Sequence, residues 1–278
     1  MAYIIQDTTL SRIAEAIRAK NGTTDKIKVS DMAAMIEAIK AGGDDKEAAI
    51  IDRSITEYSN DSIETIGSYA FYGCSNLATL DLPAATSIGD SAFNYCTSLT
   101  TVDIPAATSI GDSAFSSCRS LTTVDLPAAA YIISSAFGYC SSLTTVDLPA
   151  AVSIGDNAFV SCSSLTTVCL PAAAYIRTNA FGYCSSLTTV DLPMATSIGA
   201  YVCASCPALK ALIIRTGQVC SLDSGLGTDS CYIYVPRALI NDYKAATNWA
   251  QYADKFRALE DYTVDGTTTG ELDTTKIQ

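Results

Sequence analysis

Thiols and carboxylates are the groups here with the most chemistry to offer. The 278 residues include 11 Cys and 29 Asp or Glu, against 17 Lys or Arg and no His. A thiol can ligate zinc, close a disulfide or attack as a nucleophile. With no histidine, no His-based triad, general base or metal ligand exists. Seven cysteines, Cys74, Cys96, Cys118, Cys140, Cys162, Cys184 and Cys206, stand 22 residues apart. Such even spacing marks a repeat, not a disulfide or zinc pattern. An inward thiol packs as a small hydrophobe, so a core ladder is the expected role. A disulfide among the less regular Cys203, Cys206, Cys220 and Cys231 is the alternative. Their spacings match no compact zinc pattern.

The carboxylates keep the same period. Asp81, Asp103, Asp125, Asp147 and Asp191 fall in one row, with Cys169 interrupting it. Two places earlier stand Thr79, Thr101, Thr123, Thr145, Thr167 and Thr189. Carboxylates stacked about 5 Å apart repel one another, so some are expected to titrate high or recruit a cation. Ca²⁺ is the candidate, although Cys169 argues against a fixed device and no calcium-binding nonapeptide repeat is present. The competing reading is a solubilising surface that keeps the sheet from pairing with others.

Tyrosines add a longer period. Tyr95, Tyr139 and Tyr183 alternate with Ser117 and Ser161, and Tyr131 and Tyr175 alternate with Ser109, Ser153 and Ser197. The period is therefore partly 44. Exposed, these rings would be sugar-stacking or protein-contact anchors; otherwise they fill space between bulky and small neighbours.

The positioning elements follow from one unit, I-G-D-S-A-F-x-x-C-x-S-L-T-T-V-D-L-P-A-A-T-S. Its L-T-T-V-D-L is a short strand, with a bend between Leu99 and Val102, and proline ends it. The glycine reads as a turn, and D-S-A-F-x-x-C as a short capped helical turn. One unit cannot bury its apolar side alone, but stacked units share a core. The expected fold is an α+β solenoid of 22-residue units with one parallel sheet and helical caps at both ends. Residues 1–41 read as a two-helix module, 42–59 as a linker and 60–212 as about seven repeat units. Residues 213–260 read as a degenerate last coil and helical cap. In that cap Pro236 opens a helix, and Tyr243, Trp249, Tyr252 and Phe256 close the core. The tail, 261–278, reads as polar and loose.

Charge and motif content narrow the function. A formal charge of −12 disfavours nucleic acid and anionic lipid. No apolar run reaches spanning length and no standard signal peptide opens the chain. No Gly-rich phosphate loop, G-x-S-x-G elbow or paired-acid cleft stands out. A non-enzymatic protein is expected, with no cofactor.

The repeat resembles the BspA-type leucine-rich repeats, whose units read L-x-x-L-x-L-P…I-x-x-x-A-F-x-x-C, over residues 60–212. The segment I-Y-V-P…Y-K-A-A-T-N-W is similar to their closing cap. That resemblance implies Cys in the place of the usual Asn, and a bacterial surface or secreted adhesin. Residues 8–39, I-A-E-A-I-R-A-K-N-G-T-T-D-K…M-A-A-M-I, resemble a module of phage and prophage tail-associated proteins of Gram-positive hosts. The combination implies receptor binding by a virion tail, with a host glycan or protein as partner. Other tail proteins, or further copies of the chain, would dock on the N-terminal helices. The adhesin is the alternative, and a structural spacer a third reading.

Overall fold

The computed structural model describes residues 53–273 and 275–277. The two expected N-terminal helices lie outside the described residues. What is described is a parallel β-solenoid of about nine turns, with one helical region near the C-terminus.

Each 22-residue coil has three sides. The first carries a three-residue strand such as Thr101–Asp103, where Thr and Asp point out and the central Val points in. Leu99 lies outside that strand, which is the expected bend. The second side is a two-residue strand, Thr, Ser or Tyr followed by an inward Ile or Leu. Eight of these pair in parallel, from Thr65–Ile66 to Ser221–Leu222. This second ladder corrects the expectation of one sheet. A Ser-Ile pair is too short to show alternation, so the sequence carried no sign of it.

The third side is the D-S-A-F-x-x-C corner, which is not a capped helical turn. Ser91 and Tyr95 have φ of 54° and 62°, and the same two places are left-handed in every following coil up to Tyr201 and Ser205. This geometry aims successive amides at the next coil. Ser91, Phe93 and Tyr95 donate to the carbonyls of Asp112, Ala114 and Ser116 at 2.7, 2.7 and 2.9 Å. Left-handed backbone costs a non-glycine residue about 1 kcal/mol; these bonds offset it. Inside the corner, Phe71, Phe93, Phe115, Phe137, Phe159 and Phe181 stack with centroids 4.9–5.7 Å apart and planes within 14°.

The I-G glycine also differs from its turn reading. A Cβ on Gly89, Gly111, Gly155 or Gly199 would sit 2.4–2.7 Å from backbone of the preceding coil. These glycines permit close approach between coils. Ile133 and Arg177 occupy the same place in their coils, and their amides still meet the preceding coil at 3.0 and 2.9 Å. The first ladder breaks at those two junctions. It runs Glu57–Ser59, Thr79–Asp81, Thr101–Asp103, then Thr123–Asp125 with Thr145–Asp147, then from Thr167–Cys169 onward. Thr Oγ1 bonds to the preceding coil follow the same rhythm at Thr100, Thr144 and Thr188. The partial 44-residue period thus has a physical form.

The last coils close the core as expected. Tyr243, Trp249, Tyr252 and Phe256 are buried. Trp249 Nε1 donates to the Cys220 carbonyl at 2.6 Å, while the Tyr243 hydroxyl accepts from the Cys220 amide at 3.0 Å. The helix here is one short element, Ile240–Ala245, flanked by 3-10 turns.

Candidate functional site

The cysteine ladder is structural. Each thiol from Cys96 to Cys206 donates to the carbonyl of a phenylalanine one coil back, at 3.1–3.2 Å, as from Cys96 to Phe71. The Phe71 carbonyl also accepts the Cys74 amide at 3.0 Å. The thiol therefore fills the second acceptor site of a buried carbonyl. Burial pushes the Cys140 and Cys184 thiols up to about 12. It also raises Cys118 and Cys162, with the neighbouring thiols adding to the shift. Cys203, Cys206, Cys220 and Cys231 are reduced and buried, so no disulfide joins them.

Two measurements follow. Cys169 is the one exposed cysteine. At pH 8, iodoacetamide is expected to label the native chain once, at Cys169, and all 11 cysteines only after unfolding. Peptide mass spectrometry counts the labels, and a second native label would refute a sealed ladder. The sign of the pH dependence is also fixed. The folded thiols ionise at higher pH than the unfolded ones, whose ordinary value is 9.0. Their contribution is complete below pH 9 and declines as pH rises toward 12.

On the first face, Asp81, Asp103, Asp125 and Asp147 are exposed, as are Thr101, Thr123 and Thr145. Asp81 pairs in register with Asp103, and Asp125 with Asp147. The ladder breaks separate these pairs, so the row is segmented. Among the described residues no three Cys, Asp, Glu or His groups are gathered as a metal site.

Asp191 departs from the row. Its carboxylate is buried against Arg215, with Nε at 3.0 and 3.2 Å and Nη2 at 2.8 Å. Nη1 of Arg215 reaches on to the carbonyls of Thr268 at 2.8 Å and Gly270 at 3.0 Å. One guanidinium thus ties the solenoid face to the C-terminal segment. That segment is no loose tail. Leu259, Tyr262, Leu272 and Ile277 pack over Ala211, Ile213, Tyr232 and Tyr234, forming a small second core on the outer side of the sheet. Thr263 bridges antiparallel to Leu272. The signal was legible in principle. At outward places where earlier coils carry Thr and Asp, the last coils carry Ala, Ile and Tyr, and an apolar outward face must be covered.

Where this strap crosses the Thr/Asp face it leaves a cleft of about 1200 Å³. Thr167, Cys169 and Thr189 line it from the strands, Met194 and Thr196 from the following turn, Gln218 from the loop after Arg215, and Glu271 and Leu272 from the strap. Arg215 neutralises Asp191, so the charge left over in the cleft is the Glu271 carboxylate. Burial, then the charge of Asp191, raises the Cys169 thiol, while Arg215 opposes the shift. The hydroxyls of Thr167, Thr189, Thr196, Thr216 and Thr269 and the Gln218 amide, with an apolar edge at Met194, suit an uncharged or basic ligand rich in hydrogen-bonding groups.

The tyrosines lie elsewhere. Tyr131 and Tyr175 stand on the second ladder, 54% and 48% exposed, and Tyr95, Tyr139 and Tyr183 on the corner, 47%, 53% and 56% exposed. None fills space in the core.

Comparison with known proteins comes down to the repeat. No curated protein matches the chain. A leucine-rich repeat protein from Bacteroides ovatus is 19% identical (TM-score 0.43), covering 71% of this chain and 66% of its own, just under two thirds. A leucine-rich cell surface protein from Faecalibacterium prausnitzii is 24% identical (TM-score 0.39), covering 66% and 73%. The leucine-rich repeat protein of T. pallidum is 23% identical (TM-score 0.48), covering 68% and 82%. The profile of the BspA type leucine rich repeat region matches over residues 53–152 and 108–224, with 6 copies. With most of its length matched by that profile, the chain belongs to the BspA-type leucine-rich-repeat family.

Proposed function

We propose that this solenoid is a non-enzymatic recognition protein of a bacterial surface, an adhesin that binds a host-surface protein or glycan. The cleft between the Thr/Asp face and the strap carries the reading. A spacer would need only a stack and two caps. Here a buried ion pair holds a strap across the face and leaves a concave, hydroxyl-lined opening beside it. No helix among the described residues is long and apolar enough to cross a membrane.

The test is binding of the full chain to arrays of host-surface glycans and extracellular proteins. The comparison is a Thr167→Arg, Thr189→Arg variant whose long side chains occupy the cleft. At least a tenfold loss is expected, about 1.4 kcal/mol. Equal binding by both proteins would remove the cleft from the mechanism.

A second reading, receptor binding from a phage or prophage tail, is favoured by one observation, the motif in residues 8–39. The profile match begins at residue 53, so this reading stands on the motif alone. Co-purification of the intact chain with virions would support it.

A further inference from the structure

The corner tyrosines answer to nothing the fold requires. Tyr95, Tyr139 and Tyr183 hold φ of 62°, 63° and 61°, and Ser117 and Ser161, between them, hold 62° and 60°. All five amides make the same bond to the next coil, at 2.7–2.9 Å. Serine therefore meets every backbone demand of this position. The tyrosine rings nonetheless stand half exposed, in strict alternation with the smallest hydroxyl side chain. Ser117, between Tyr95 and Tyr139, is buried, while those two rings stay 47% and 53% exposed; Tyr95 also meets Tyr72 edge-on at 5.8 Å.

The stride is set by the core beneath. The Phe rings two residues away step by 5.1, 5.3, 5.5 and 5.7 Å per coil. Tyrosines on alternate coils are then about 10–11 Å apart along one line. A flat aromatic presents a π face to C–H bonds and a hydroxyl to polar groups. A straight row of such rings suits a stiff polymer with its own repeat. In an extended β-1,4-linked polysaccharide successive sugars turn over, so every second sugar offers the same face to one side. Two sugars per two coils matches ring to ring. The acidic chain, at −12, repels anionic polymers and leaves neutral ones.

We propose that Tyr95, Tyr139 and Tyr183 form a second binding surface, distinct from the strapped cleft, that stacks alternate sugars of a neutral β-1,4-linked polysaccharide. Contacts linked along one ligand multiply in effect, so affinity rises with chain length until three rings are engaged.

The experiment is titration calorimetry of the full chain with N-acetylglucosamine oligomers of two, four and six sugars. The hexamer is expected to bind roughly a hundredfold more tightly than the dimer, at about tenfold for each added ring. Tyr139→Ser is expected to lose most of that gain, since it removes the middle contact. The protein supplies its own folding control, because Ser117 and Ser161 already occupy this geometry, and circular dichroism checks it. The cleft variant Thr167→Arg, Thr189→Arg is expected to bind the hexamer normally, which separates this surface from the proposed adhesin site. Affinity independent of oligomer length, no binding at all, or unchanged hexamer binding by Tyr139→Ser would each overturn the proposal. So would self-association of the chain, in sedimentation, that the same substitution abolishes.

Discussion

Replacing Arg215 by alanine is expected to lower unfolding free energy by about 3–5 kcal/mol, because it leaves the Asp191 carboxylate buried without its cation. The two side chains are only 11% and 13% exposed, so water screens the pair little. The same substitution takes away the donor to the Thr268 and Gly270 carbonyls, and residues 263–272 should become the first site of limited proteolysis. Urea denaturation gives the first effect and timed digestion the second. An Arg215→Met, Asp191→Leu double variant separates them. Replacing both charges with apolar groups is expected to restore most of the stability, yet the strap keeps no anchor and stays cleavable. A loss below about 1 kcal/mol with the strap still protected would mean that Arg215 is not the clamp.

The second large effect belongs to the aromatic stack. Phe137→Ala removes a ring held between Phe115 at 5.3 Å and Phe159 at 5.5 Å, and the rigid corner cannot collapse around the gap. The expected cost is about 3–5 kcal/mol. Since each coil touches only its neighbours, a lesion at mid-stack weakens the coupling between the two halves. The urea transition should become biphasic. Phe181→Ala, at the end of the stack where Cys203 stands in for the next ring, is expected to cost less and keep one transition. A single sharp transition for Phe137→Ala with little loss would contradict a continuous stack.

The repeat was readable because it is written in large side chains at fixed intervals. Phe, Cys, Leu and Ile every 22 residues state what lies inside, and Tyr243, Trp249, Tyr252 and Phe256 state how the stack ends. Other features were hidden because their cause is backbone geometry. The corner's left-handed positions carry Ser, Asn and Tyr, which give no glycine signal. Gly89 and its equivalents signal a turn by type, yet serve close approach. The strap was hidden by its composition, since Thr, Gly and Asp outnumber Leu272 and Ile277. The candidate site suffered most. The Asp and Thr rows were placed correctly on a strand face, but a cleft made by folding the chain's end over them is a long-range event. No local pattern near Thr167 or Thr189 reports it. Asp191 looked like its row until Arg215, 24 residues on, was seen beside it.

The segmented first ladder bears on mechanics. A solenoid held at one end and pulled at the other is loaded along its axis, and force finds the weakest seams. The junctions before Thr123 and Thr167 lack strand pairing on one side, so under load the stack should gape there like a hinged ruler while the second ladder acts as the hinge. The block between those seams is two coils long. Torn loose, its 44 residues would pay out about 150 Å of extended chain, a built-in shock absorber with a fixed step.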